Sequence, residues 1–148
     1  MSAVLLDNEA VQALLRPDHP KHRTVIATLD GMSTRARRRK DRTSRWVPTT
    51  VRVEAGWRRT DPAATPANRL HLRDHELDRT TADLAAALVA AHRVSPADAH
   101  LGATVATIAS TAPMTGNATG GSSIVVLTSD PGDIDRVCPP GAARVIRI

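Results

Sequence analysis

Two short, unbroken apolar runs constrain the fold of this chain most: Ala3–Leu6 near its start and Ile124–Leu127 near its end. A strand that is apolar at every position, and not at every second one, must be covered on both faces. That is the situation of a parallel strand inside an α/β sheet. Acids follow both runs, Asp7 directly after the first and Asp130 three residues after the second. Parallel sheets bind their ligands beyond the carboxyl ends of the strands, so both acids are predicted at that edge.

The segments between alternate helix and strand. Val11, Leu14 and Leu15 share a helical face until Arg16-Pro17-Asp18-His19-Pro20 interrupts it, and Val25, Ile26, Leu29 and Met32 mark a second helix starting near Lys21. Trp46-Val47-Pro48 reads as a strand. It leads into a helix carrying Val51, Glu54, Ala55 and Trp57, with Thr49 or Thr50 as cap and Asp61-Pro62 as its end. Leu70–Leu77 is readable either as a strand or as a loop. Thr80–His92 repeats Leu84, Leu88 and alanines at helical spacing, and Ser95-Pro96-Ala97-Asp98 opens a helix that runs through Leu101, Val105 and Ile108. Asp130-Pro131 starts a short helix, and Ala143–Ile148 makes a last strand. The alternation predicts a single α/β domain over residues 1–148, with helices on both faces of a central, mostly parallel sheet.

Asp7, Glu54, Asp98 and Asp130 all fall at a strand end or in the opening turns of a helix, so this architecture can bring them to one edge. Carboxylates gathered in one pocket repel unless a cation lies between them, and a hard divalent ion prefers oxygen donors. Plain structural roles compete. Ser95-x-x-Asp98 has the form of a capping box and Asp130 before Pro131 that of an N-cap, each worth about 1 kcal/mol. Glu54 has no Ser or Thr three residues before it and lies amid Val51, Val53, Ala55 and Trp57, while Asp7 has no evident partner in its own segment. Those two point more strongly to function.

Composition narrows the partners. Lys and Arg number 20 against 15 Asp and Glu, for a net charge of +5 and a pI near 10.9, a balance that suits a polyanion. Arg35, Arg37, Arg38, Arg39 and Lys40 are the candidates for RNA binding, continued by Arg42 and Arg45, with Arg58 and Arg59 after the Glu54 helix. The competing reading is a helix C-terminus whose cations answer the dipole. Trp46 and Trp57 are the only aromatic residues, so a platform of stacked bases is not expected.

His71 and His75 lack the His-Glu-x-x-His form, His100 lies two residues from Asp98, and no histidine is assigned to metal. Gly116, Gly120 and Gly121 lack the Lys-Ser/Thr of a phosphate loop. The single cysteine, Cys138, excludes an intrachain disulfide and a thiolate zinc cluster and fits a cytoplasmic setting. The apolar start is too short for a signal peptide and no run approaches a membrane span, so no membrane is expected.

Four pieces, in order, resemble the motifs of PIN-domain ribonucleases, and among them the VapC toxins of toxin–antitoxin pairs. They are Val4-Leu5-Leu6-Asp7 with Ala10, Val51-Arg52-Val53-Glu54, Ala97-Asp98-Ala99-His100-Leu101-Gly102-Ala103-Thr104, and Val126-Leu127-Thr128-Ser129-Asp130-Pro131. The resemblance extends over almost the whole chain. It implies a PIN-like three-layer α/β/α fold in which Asp7, Glu54, Asp98 and Asp130 are catalytic and hold one or two Mg²⁺ or Mn²⁺ ions. Thr128 would orient a water or the backbone nearby, and Asp133 is a weaker auxiliary candidate that reads first as a first-turn helix acid complementing the helix dipole. The resemblance further implies hydrolysis of RNA by water, with 5′-phosphate and 3′-hydroxyl products, a cognate antitoxin that blocks the pocket, and a homodimer.

The chain departs from the family pattern after its first Asp, where Asn8 and Glu9 replace the usual Ser or Thr. Glu9 either adds an acid near the metal or points away along the helix. Three other readings stay open. A haloacid-dehalogenase-like phosphatase also begins with Asp after a first strand, but it wants a second Asp where Glu9 stands. A non-catalytic nucleic-acid-binding module or an inactive PIN-like scaffold for a protein partner would use the same fold.

Overall fold

The computed structural model describes residues 2–111 and 124–148. Five strands form one sheet: β1 (Ser2–Leu6), β2 (Thr43–Pro48), β3 (Arg73–His75), β4 (Ile124–Thr128) and β5 (Arg144–Arg147). Their order is β3-β2-β1-β4-β5, and every pairing is parallel. The helices are α1 (Asn8–Leu15), α2 (His22–Arg38), α3 (Thr49–Glu54), α4 (Thr65–Asn68), α5 (Arg79–His92), α6 (Pro96–Thr111) and α7 (Pro131–Val137).

Because side chains alternate along a strand, the unbroken apolar runs feed two cores at once. Val4 and Leu6 of β1, with Val47, Val125 and Leu127, pack against Val11 and Leu14 of α1 and Val25 and Leu29 of α2. Ala3 and Leu5, with Ile124 and Val126, meet Leu101 and Val105 of α6 and Ile134 of α7 on the other face. The result is the expected three-layer α/β/α arrangement. Each fully buried Leu or Val stabilises it by about 1.5–3 kcal/mol. Outside the second layer, α5 lies on α6 through Ala85 against Ala99 and Ala103.

One contact between α6 and α7 depends on a missing side chain. A Cβ on Gly102 would stand 2.6 Å from the Val137 carbonyl oxygen and 2.8 Å from its Cβ, so only glycine allows this approach. Cys138, just past α7, is half-buried beside the second core, and its thiol pKa is pushed up to about 12 by burial and then by the charge of Asp135.

Some local expectations are corrected. Neither Thr49 nor Thr50 caps α3: β2 runs straight into the helix, and the N-cap position falls on Pro48, which has no side-chain acceptor. Thr49 accepts the Leu77 N–H at 3.3 Å instead. Trp57 lies beyond α3, because Gly56 takes φ 65° and the Trp57 N–H closes on the Arg52 carbonyl at 2.8 Å, a glycine stop after the last turn. Within Leu70–Leu77 only three residues join the sheet, as edge strand β3. The 3₁₀ turn Pro62–Ala64 and α4 were hidden by the prolines, which read as breakers although each stands in a first turn. Among the described residues no helix is long and apolar enough to cross a membrane.

Candidate functional site

The strand order makes β1 the turning point of the sheet, with β2 and β3 built outward on one side and β4 and β5 on the other. A crevice opens between the carboxyl ends of strands at such a point. Asp7 stands in it. Its backbone N–H donates to the Leu127 carbonyl at 3.1 Å, which holds the residue against β4.

Asp7 is also the N-cap of α1, with its Oδ1 accepting the Ala10 N–H at 2.7 Å. This overturns the expectation that it lacks a partner in its own segment, because the residue joining a strand directly to a helix is the cap. Oδ2 accepts the Ser129 N–H at 3.2 Å, and the Thr128 side chain supplies a further hydrogen bond. Thr128 is buried at the end of β4 and accepts the Asp130 N–H at 3.0 Å, so it ties Asp7 to the start of α7. Despite these donors the Asp7 pKa is raised. At 7% exposure the loss of water outweighs them, and the charge of Asp98 adds to the rise.

Glu54 ends α3 and is exposed, not packed among its apolar neighbours as its sequence context suggests. A six-residue helix turns one narrow face inward, and Val51 takes it while Val53 stands 81% exposed. The Glu54 carboxylate joins no hydrogen bond or ion pair among the described residues. Its pKa is nonetheless raised, by partial burial first and then by the charges of Asp98 and Asp7. Asp98 is half-buried in the first turn of α6, where Ser95 Oγ donates to its Oδ2 at 2.8 Å and accepts its backbone N–H at 3.1 Å. The capping role of Asp98 is therefore real and occupies one carboxylate oxygen.

Asp130 shares the edge. It is exposed, and its Oδ1 accepts the N–H groups of Gly132 and Asp133 at 3.1 and 3.3 Å as the N-cap of α7. Asp133 stands in the first turn of α7, the helix role weighed for it, and also pairs with Arg136 one turn along. Asn8 Oδ1 accepts from Gln12 Nε2 at 3.1 Å, and Glu9 lies 3.4 Å from His19 and 3.5 Å from Lys21. Both side chains are committed to α1 and its following turn.

The charge of Asp98 thus adds to what burial does to the proton affinity of Asp7 and Glu54, and a cation is the charge that would relieve them. Fit to an ion is electrostatic. Among the described residues, no three His, Cys, Asp or Glu side chains are grouped closely enough to hold a metal as they stand. Asp98 Oδ1 and the whole Glu54 carboxylate remain uncommitted among those residues.

A buried polar cluster behind the acids escaped the sequence reading. His100 is fully buried on α6, with Nδ1 3.0 Å from Thr50 Oγ1 on α3. Its ring meets the His75 ring edge-on at 5.7 Å, and His75 Nδ1 lies 3.2 Å from Thr104 Oγ1. Burial first, and then the charge of His75, hold the His100 pKa down to about 4, so the ring is neutral. The Glu76 carbonyl pulls the other way but falls short of a full hydrogen bond, and Nε2 is left buried without a partner among the described residues. Thr50 and Glu54 are one turn apart on α3, while Asp98 and His100 are two residues apart on α6. The Thr50–His100 bond therefore fixes the relation between the helices that carry the two acids. The available signal was a His with Thr four residues on, inside an otherwise apolar helix.

The basic run lies elsewhere. α2 ends in Arg35, Arg37 and Arg38, with Arg39 as its C-cap and Lys40 in the left-handed region, and the chain then enters β2 at Thr43. This is the amino-terminal edge of the sheet, separated from the acids by the length of β2, about 16 Å at five steps of about 3.3 Å. Arg45 and Arg59 have structural duties. Arg45 donates to the Leu70 carbonyl at 2.8 Å, and Arg59 pairs with Asp74 at 2.6 Å beside Arg52. Gly116, Gly120 and Gly121 lie outside the described residues. No protein-family model matches the chain, and no curated protein matches it either.

Proposed function

We propose that this protein is a cytoplasmic, Mg²⁺- or Mn²⁺-dependent endoribonuclease of the PIN-domain, VapC-like type. One observation carries the reading: Asp7, Glu54 and Asp98 come from a strand end, a helix end and a helix start, yet they lie close enough that the pKa of each of the first two is raised by burial and further by the charge of Asp98. A fold that uses acids only as helix caps has no reason to let them repel. The sequence resemblance supplies the class of reaction, and the all-parallel sheet supplies the edge at which such chemistry is built.

Asp7, Asp98 and Glu54 would hold the ion, Glu54 being the acid with no other bond to break among the described residues. When bound, a divalent ion supplies positive charge against phosphate oxygens and makes water a better nucleophile. Asp7 contributes a rigid carboxylate, since Ala10, Ser129 and Thr128 fix its orientation. His100 keeps α3 and α6 in register without adding charge of its own. Asp130 shapes the rim by starting α7 and serves as a further acid at the edge. The antitoxin and a second copy of the chain are the partners that the resemblance brings with it.

Purified protein incubated with mixed cellular RNA, with Mg²⁺, with Mn²⁺ or with chelator, tests this beside Asp7→Asn. Cleavage is expected with either metal, and neither in chelator nor with the variant. Equal cleavage under all conditions would reject the mechanism.

A further inference from the structure

We infer that the cleft at the amino-terminal edge of the sheet binds phosphates of an RNA backbone, as a second contact remote from the acids. It rests on the RNA part of the proposed function and not on the metal. The cleft has a volume of about 320 Å³ and lies between the end of α2, the start of β2 and the segment leading into β3. Arg37, Arg45 and Arg73 line it, together with Ser33, Ser44 and His71. Asp41 also lines it and offsets part of the charge.

Two of the three guanidinium groups are already held in place. Arg45 donates to the Leu70 carbonyl at 2.8 Å and also to the Ser33 hydroxyl, and Arg73 stands over the Trp46 ring, 5.7 Å from its centroid. Side chains ordered in advance cost less on binding, and guanidinium forks match phosphate oxygens. Backbone strain points to the same place. Of three non-glycine residues with positive φ in the described chain, His71 (φ 52°) lines this cleft, and Lys40 (φ 55°), beside the lining Asp41, closes the end of α2 with its N–H on the Arg37 carbonyl. Such conformations cost about 1 kcal/mol or more each and persist where surroundings impose them.

Arg35, Arg38, Arg39, Lys40 and Arg42 continue the charge away from the cleft along the end of α2, a track for successive phosphates. An acidic peptide would satisfy the charge too. It would need an apolar anchor, and of the cleft residues only Leu70 and Ala36 are apolar. At about 16 Å along β2 from the acids, the cleft engages RNA several nucleotides from a phosphate beside Asp7.

The test is binding of a long single-stranded RNA, followed by fluorescence anisotropy in chelator over a range of salt, with Glu54→Gln as the background in every sample. Arg37→Gln with Arg73→Gln is expected to weaken binding tenfold or more and to reduce the slope of log affinity on log salt by about 1.4, or about 0.7 per lost phosphate contact. The control pair Arg23→Gln with Arg79→Gln removes equal charge elsewhere and is expected to change affinity less than twofold. Arg37→Gln alone, at an exposed position, guards against misfolding at Arg73. Unchanged affinity, an equal loss in the control pair, or displacement of RNA by polyglutamate at equal charge concentration overturns the inference. The readout is binding, so absence of cleavage would strike the nuclease reading alone.

Discussion

The two edges of the sheet carry opposite charge, and most of that contrast needs no function to explain it. Helix starts sit at the carboxyl edge, where Asp7 and Asp130 each satisfy first-turn N–H groups and the Ser95 hydroxyl satisfies that of Asp98. At the amino edge α2 ends, and cations at a helix end are favoured by its dipole by about 0.3–1 kcal/mol each. What differs is the balance reached. At the carboxyl edge the donors are outweighed and the pKa values of Asp7 and Glu54 rise, whereas the arginines of the amino edge point largely into solvent. A parallel sheet sorts charge by sign on its own, so polarity is weak evidence for a site, and uncompensated repulsion is stronger.

The largest effect expected to sharpen this contrast is catalytic. Asp7→Asn should lower metal-dependent RNA cleavage about a thousandfold, since charge stabilisation by an ion is worth several kcal/mol, while Arg37→Gln leaves cleavage of a trinucleotide intact. Rates on the two substrates separate the edges, and an equal fall for both variants would merge them. Next in size is metal-linked stability. Mg²⁺ at a hundred times its dissociation constant should raise stability by about 2.7 kcal/mol, seen as a higher Tm, and Glu54→Gln should abolish that gain. An unaltered Tm in saturating Mg²⁺ and Mn²⁺ would leave the carboxyl edge without an ion.

Gly102→Ala should destabilise by about 1–3 kcal/mol in chemical denaturation, because its Cβ would collide with the Val137 backbone and push apart the helices carrying Asp98 and Asp130. Acid tests the buried cluster. The folded pKa of His100, near 4, lies below the unfolded value of 6.5, so its contribution is fully present above pH 6.5 and is lost as pH falls towards 4. Asp7 and Glu54 have raised folded values and work the other way, favouring the fold as pH drops towards the ordinary Asp and Glu values of 3.8 and 4.5. Urea midpoints across this window should fall for the parent chain and fall less for His100→Gln. The smallest effect is on the metal-free protein, in which Glu54→Gln should stabilise by about 0.3 kcal/mol by removing an exposed repulsion.

Much of the architecture was legible because unbroken apolar strands and helical repeats are local signals. Val4-Leu5-Leu6 and Ile124–Leu127 announce a sheet covered on both faces, and the two cores divide their residues by alternation. The carboxyl edge was legible as a meeting place for the same reason, since strand ends and helix starts are readable one segment at a time. Missing from the sequence was how each acid is held. Asp7 is bonded from Ser129, 122 residues away, and His100 from Thr50, 50 residues away, and no local pattern encodes such partners. Turn geometry misled in another way. Gly56 looked like part of a helix that it in fact ends, and only the direction of β2 puts the basic run at the edge far from the acids.

The muted thiol of Cys138 has a practical consequence. With its pKa near 12 and its sulfur half-buried, it will hardly react with a maleimide at neutral pH. A cysteine introduced at an exposed position beside either Glu54 or Arg37 would then be the one site that takes up a dye, and each flank of the molecule could be watched separately while RNA or metal is added.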